Sequence, residues 1–249
     1  MRLKDRGIDR MEQKVGIKGA AFGRTTLQII AVLTMVCDHF ACVFLNPEHS
    51  FFFFEEGLNH TIYNGFRIVG RLSFPIFCYL LVQGFLMTHN LNKYMLRLFV
   101  FAILSEIPYD LAFSGVLFNW KDQNVMFTLL LGLVVLSWLK HFEANWMAEG
   151  IIVLSGCILA FFLQTDYSWF GVLLVVVMYL LRNNWLQQMF WLSLLIFSQG
   201  GIEVYAVFAL PLCYFYQQDK EEKRLPRYFF YVFYPLHLFV LWGIHYCAK

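Results

Sequence analysis

Charge is scarce in this 249-residue chain. Asp, Glu, Lys and Arg make up 14% of it, against about a quarter in a typical soluble domain. Several signatures of chemistry are missing too. There is no HExxH, no Gly-rich phosphate loop and no Ser nucleophile motif. The six cysteines, Cys37, Cys42, Cys78, Cys157, Cys213 and Cys247, lie in or at the ends of apolar segments and form no CxxC or CxxxH pair. They read as small buried hydrophobes, not as a metal site or a disulfide framework. His39, His237 and the acids stand too far apart in sequence for ligand spacing, so no metal is expected. No cleavable signal peptide is expected either, because the first apolar run starts near Thr25 and is too long for one. Internal repeats, low-complexity linkers and a soluble domain are absent, and no nucleic acid partner is expected.

What the chain does have is apolar length. Hydrophobic residues make up 59%, with 28 Phe and 13 Tyr, which suits a lipid-facing and interfacial surface. The reading is an all-α, polytopic transmembrane bundle of about nine spans, eight to ten being the range that the segment lengths allow. Residues 1–24 form a basic arm, and residues 25–249 form the integral membrane domain. The expected helices are Thr25–Phe44, Arg67–Thr88, Tyr94–Phe113 with an interruption at Pro108, Val125–Leu139, Glu149–Gln164, Tyr167–Leu181, Trp185–Ser198, Ile202–Tyr216 and Tyr228–Cys247. Asn46–Gly65 is expected as an outer loop, with Glu48, Glu55 and Glu56 around the aromatic run Phe51–Phe54. Alternate loops on the N-terminal side hold fifteen of the nineteen Lys and Arg residues. Only Arg67, Arg71, Lys121 and Lys249 fall on the other side. By the positive-inside rule the N-terminus is cytoplasmic.

The first apolar stretch, TTLQIIAVLTMVCDHFACVF, carries Asp38 and His39 well inside it. Ionisable groups at that depth are costly and face a polar cavity or one another. At about 1.5 Å per residue, His39 lies about 21 Å from the inner end of its helix. Glu106 and Asp110 lie about 18 and 24 Å up theirs, on one face at i,i+4. Arg67 and Arg71, also i,i+4, enter from the outer side. Asn124 and Thr128 open the next helix, Asp166 and Tyr167 stand at an outer turn, and His237 lies nearer mid-depth. His39, Asp38, Glu106, Asp110 and Arg71 are therefore the candidate catalytic group. Asn124, Thr128, Asp166, Tyr167 and His237 are the candidate substrate-binding group. Asp38 and His39 diverge by about 100° around the helix, so Glu106 or Asp110 is the better orienter of a basic imidazole. Arg71 is expected to pair with one of those two acids. The bland reading of each residue stands beside this: His39 and His237 as satisfied packing residues, Arg67, Asp166 and Glu203 as interfacial ones. A buried set of His, Arg and acids also fits a proton-coupled transporter, although inverted repeats would favour that and none is seen.

The blocks IIAVLTMVCDH, FRIVGRLSFPIFCYLLVQGF, KYMLRLFVFAILSEIPYDLAF, NVMFTLLLG and YFFYVFYPLHL resemble, in order and spacing, the TraX family of bacterial membrane proteins. That family takes its name from the protein that acetylates the N-terminus of F-type conjugative pilin. It is similar in turn to the wider transmembrane acyltransferases. The resemblance implies an acyltransferase in the bacterial inner membrane. Acetyl-CoA from the cytoplasm would be the donor, and His39 would be the residue that does the chemistry. The acceptor implied is an amine or hydroxyl at the outer face, carried by a pilin-like or other secreted polypeptide or by an envelope glycan. A non-enzymatic assembly factor is the further alternative. Two positions depart from the family pattern. Gln28 stands eleven residues before His39, where relatives carry Lys or Arg. Ser168 stands in DYSWFG, where relatives have Gly. Gln28, with Arg24, Lys93 and Arg97 at the inner rim, is the candidate contact for the CoA arm.

Overall fold

The structure is a computed structural model describing residues 23–46, 56–217, 222–223, 225–226 and 228–248. The basic arm, apart from Arg24, and the run Phe51–Phe54 lie outside the described residues, as do Lys220, Arg224 and Arg227. Among the described residues every regular element is helical. In order these are α1 (Arg24–Phe40), a π turn (Ala41–Leu45), α2 (Glu56–Gly70), α3 (Ser73–Met87), α4 (Leu91–Phe113), α5 (Val125–His141) and α6 (Trp146–Phe162). Then follow α7 (Ser168–Leu180), α8 (Trp185–Phe197), a 3-10 segment (Gly201–Phe208), α9 (Ala209–Tyr214) and α10 (Phe229–Cys247).

Asparagine sets four of the helix starts. The side chains of Asn90, Asn124, Asn145 and Asn184 accept the backbone N–H of Lys93, Met126, Ala148 and Gln187, giving orphan donors of the first turn a partner. α1 begins at Gly23, which has no side chain to cap it. A distant residue does so instead: the Glu222 carboxylate accepts the N–H groups of Gly23 and Thr26, each at 3.0 Å. A carboxylate at a helix N-terminus also complements the helix dipole.

α1 packs on α2 and α3. α5, α6 and α7 pack on one another, α3 lies against α7, and α10 returns along α4. Leu27, Ile76, Leu133, Leu136 and Leu174 are fully buried between them. Large apolar side chains also cover the outside, among them Ile151, Leu154 and Phe161 on α6 and Leu236, Phe239 and Val240 on α10. Among the described residues, three stretches are long and apolar enough to cross a membrane: Arg24–Leu45, Gly57–Met87 and Phe229–Cys247.

Four expectations need correction. The helix expected over Arg67–Thr88 is broken at residues 71–72, between α2 and α3, and Ile202–Tyr216 is a 3-10 segment followed by the short α9 instead of one α-helix. The segment before Arg67 is not a loop throughout. The chain is helical from Glu56, and Asn59 ties this helix to the carbonyl of Leu45. Nor does Pro108 interrupt its helix. α4 runs through it from Leu91 to Phe113, since one missing N–H does not stop a helix held on both sides by α5 and α10.

Candidate polar site

Asp38 and His39 sit on the last turn of α1, directly before the π turn. Such a turn adds a residue to the helical repeat and is frequent at functional sites. Their side chains leave in different directions and enter two separate arrangements.

Asp38 faces α2. Its carboxylate accepts from Arg67 Nη1 at 2.7 Å and from Arg71 Nη2 at 2.6 Å. Arg71 extends the chain of charge through Nη1 to Glu203 Oε1 at 2.7 Å, on the 3-10 segment. Asp38 is 8% exposed and Arg71 5%. Two guanidinium groups against two carboxylates make the quartet neutral, as burial requires. The close approach depends on Gly70. A Cβ there would run into the Cβ and carboxylate of Asp38. Arg67 Nη1 also reaches Cys42 Sγ at 2.7 Å, on the π turn.

His39 faces α10. Its Nδ1 lies 2.7 Å from His237 Nε2, and His237 Nδ1 lies 2.9 Å from the carbonyl oxygen of Phe233, one turn earlier. The ring planes differ by 9° with centroids 5.0 Å apart. That separation is the N···N distance plus one ring radius at each end. The rings are therefore coplanar and joined edge to edge, with the hydrogen bond in the plane of both. Aromatic edges surround the pair. The centroids of Phe113 and Tyr234 lie 5.3 and 6.1 Å from that of His39, and Phe233 lies 5.2 Å from His237.

The acids expected beside His39 are occupied elsewhere. Glu106 Oε2 accepts from the Asn124 amide, which also donates to the carbonyl of Ala102 at 2.8 Å. Asp110 Oδ2 accepts the N–H of Asn119 at 2.8 Å. Neither acid forms a salt bridge among the described residues; Arg71 pairs with Asp38 and Glu203 instead. Both terminal nitrogens of Arg71 are therefore engaged in ion pairs, while its Nε is buried without a partner. Glu106 Oε1 and Asp110 Oδ1 are likewise buried without a partner.

The proposed substrate-binding residues divide in a similar way. Thr128 donates to the carbonyl of Asp166, and Asp166 N–H donates to the carbonyl of Gln123 at 2.8 Å. These bonds hold the α6–α7 turn on the start of α5. The ring of Tyr167 stacks on Phe74 at 3.7 Å. Tyr167 and Ser168 both have left-handed backbone, at φ +60° and +42°. Asp166 stands within electrostatic range of Arg71 and Glu203, which joins this turn to the quartet. At the other end of the bundle, Arg24 and Lys93 are exposed and Gln28 is half-buried. The Arg97 guanidinium lies 5.7 Å from the centroid of Tyr94. The structure thus joins His39 to His237 and Asp38 to Arg71, and no hydrogen bond or ion pair among the described residues links either pair to Glu106 or Asp110. Arg67 and Glu203, which the sequence marks only as interfacial, belong to the quartet. The i,i+4 spacing of Arg67 and Arg71 was a usable signal for the first; nothing local marked Glu203.

The chain matches the TraX protein family over residues 23–245, which takes in all of the described helices except the last two residues of α10. It is 26% identical over 247 residues to a protein described as the probable fimbrial assembly protein FimC, serogroup H1, of Dichelobacter nodosus. That match covers 88% of this chain and 94% of that protein. No solved structure matches it significantly. With the match extending over the buried quartet, the histidine pair and the helices that carry them, this chain belongs to the TraX family.

Proposed function

We propose that the chain is a polytopic bundle of the bacterial inner membrane, with a cytoplasmic N-terminus and about nine spans. Its reaction is acyl transfer from cytoplasmic acetyl-CoA to an amine or hydroxyl at the outer face. The acceptor belongs to a pilin-like or other secreted polypeptide, or to an envelope glycan. One observation carries this reading. His39 sits deep in a long apolar helix, and the nearest acid in sequence, Asp38, is bound to two arginines instead of to it. An imidazole placed there, with no ion pair to a carboxylate, is suited to take a proton from a neutral nucleophile. A fimbrial assembly protein among its relatives agrees with a polypeptide acceptor.

The chemistry assigned to the chain is short. The acceptor N–H or O–H loses its proton to His39 as the nitrogen or oxygen attacks the thioester carbonyl. The C–S bond breaks, the acetyl group stays on the acceptor, and CoA leaves as a thiol after taking a proton. Arg71 Nε is the buried donor left to stabilise developing oxyanion charge. Gln28, Arg24, Lys93 and Arg97 are assigned to the donor's path from the inner side. An α-amine, which titrates near 8, is an easier acceptor at neutral pH than a lysine.

The test is incubation of the purified protein with radiolabelled acetyl-CoA and a membrane extract. The wild type transfers label to an extract component, and His39→Ala loses about 100- to 10,000-fold in rate while melting like the wild type. A folded His39→Ala variant that turns over like the wild type, or a wild type that transfers no label, overturns the reading.

A further inference from the structure

His237 is not needed as a packing residue alone, because its two ring nitrogens are both engaged and both point along one line. On one side is a backbone carbonyl, which can only accept. His237 Nδ1, 2.9 Å from the Phe233 oxygen, must therefore carry a hydrogen. In the neutral pair each ring has one hydrogen, so His237 Nε2 holds a lone pair. The 2.7 Å bond to His39 then needs a donor on the other side, and that donor is His39 Nδ1–H. One proton arrangement alone satisfies both bonds. It leaves the lone pair of His39 on Nε2, the nitrogen pointing away from His237.

We infer that His237 is a positioning residue that fixes His39 as its Nδ1–H tautomer and serves as the second member of a two-histidine proton relay. The inference rests on the proposed base role of His39. When His39 Nε2 takes the acceptor's proton, its Nδ1 proton moves along the existing bond to His237 Nε2. The positive charge then rests on His237, whose Nδ1–H keeps its bond to Phe233. No bond to carbon changes in this step; when His39 Nε2 gives its proton to the departing thiolate, the shared proton returns from His237 Nε2 to His39 Nδ1 and the pair is reset. The coplanar rings keep the donor hydrogen in line with the acceptor lone pair, the arrangement such a transfer needs. Charge is also carried away from a site flanked by Arg67 and Arg71, both within electrostatic range of His39. Asp38 cannot take the part that a carboxylate plays in a Ser-His-Asp triad, because both its oxygens are bound to those arginines.

The first test reads protonation without any turnover. Protein with ring-15N histidine, in lipid nanodiscs, should show His39 Nδ1 as pyrrole-type and Nε2 as pyridine-type, with the signals assigned by loss in His39→Gln. His237→Ala should convert His39 to a mixture of tautomers. A pyridine-type His39 Nδ1 in the wild type overturns the inference. So does a His39 spectrum unchanged in His237→Ala. The second test is kinetic. His237→Ala should lower kcat about 10- to 100-fold with donor and acceptor KM unchanged, the range found when the partner that orients a metal-bound imidazole is removed. His237→Gln, whose side-chain oxygen can still accept from His39 Nδ1–H but cannot take up a proton, should restore the tautomer and leave kcat lowered; a kcat fully restored in His237→Gln overturns the relay and leaves His237 a positioning residue alone. If His237→Ala does not fold, a His237→Gln variant carrying His39 in the wrong tautomer overturns the inference by itself. The two readings fail separately. An active His39→Ala removes the base role, whereas an inactive His39→Ala beside a fully active His237→Ala removes only the relay.

Discussion

Two regions of this bundle solve the same packing problem with opposite chemistry. In the α5–α6–α7 region, helices meet through missing side chains. A Cβ on Gly132 would lie 3.2 Å from Val175, and one on Gly156 would collide with Val135. Leu133, Leu136, Val172 and Leu174 fill the rest, and no salt bridge occurs there among the described residues. In the α1–α2–α10 region, the contacts are charged or hydrogen-bonded: the Asp38–Arg67–Arg71–Glu203 quartet and the His39–His237 pair. Close backbone approach through small residues gives rigidity where lipid removes the hydrophobic drive between helices. Buried ion pairs contribute little net stability, since desolvation offsets most of the attraction. They do set which side chains face which. The apolar region is therefore a scaffold held by close packing, and the polar region is fixed by specific pairings.

That contrast implies different responses to mutation. Asp38→Asn keeps the shape of the side chain but leaves Arg67 without its carboxylate and Arg71 with Glu203 alone. Removing one partner of a buried ion pair costs about 3–5 kcal/mol. The thermal midpoint in detergent should fall accordingly, and an unchanged midpoint would mean that the quartet is solvated and not structural. In the scaffold the sign depends on which glycine is changed. Gly150 and Gly156 lie on the same helix, α6, yet a Cβ on Gly150 meets nothing within 4 Å. Gly150→Ala should stabilise by about 0.5–1 kcal/mol through helix propensity. Gly156→Ala should instead destabilise by about 1–3 kcal/mol through overpacking, and Val135→Ala in the same chain should return much of it. Equal effects of the two alanines on the midpoint would show that α6 is not held close to α5.

Much of the fold was legible. Asn90, Asn124, Asn145 and Asn184 announce helix starts in the sequence, and long apolar runs follow them. The start of α2 was missed because Gly57, Asn59, His60, Asn64 and Gly65 dilute the apolar pattern, although Asn59 is buried against the π turn. Of the site, the depth of His39 and the shared face of Arg67 and Arg71 followed from helical rise and period. Their partners did not. Asp38 is 29 and 33 residues from the two arginines, Glu203 is 132 from Arg71, and His237 is 198 from His39. Spacing along one helix says which residues share a face. It does not say which helix that face meets, and Glu106 and Asp110, at the right depth on α4, were the wrong neighbours for that reason.

The outer edge of the quartet gives a finer measure of the polar region. The Glu203 side chain is 31% exposed, against 6% for Arg71. Its pair should therefore be weaker than that of Asp38. A double-mutant cycle with Arg71→Met and Glu203→Gln should show a coupling of about 1–2 kcal/mol. Additive effects on the midpoint would mean that the contact carries no energy of its own, and the quartet would reduce to Asp38 with its two arginines.

A small effect is also expected at the turn where the two regions meet. Tyr167 and Ser168 share left-handed backbone, which costs a residue with a Cβ about 1–2 kcal/mol. Ser168 gains nothing visible in return, since its Oγ is buried without a partner. Ser168→Gly removes the strain and the orphan hydroxyl, and gives back about 0.5–1 kcal/mol through the greater freedom of glycine in the unfolded chain. The net should be a stabilisation of about 1 kcal/mol, read as a small rise in thermal midpoint. Tyr167 has the same backbone and should respond with the opposite sign. Its ring stacks on Phe74 at 3.7 Å, so Tyr167→Gly exchanges a relieved backbone for a lost aromatic contact and a void between α3 and α7. If Ser168→Gly lowers the midpoint instead, the turn is not strained at that residue. The hydroxyl would then have a partner worth keeping, and Ser168 would belong with the polar region instead of the scaffold.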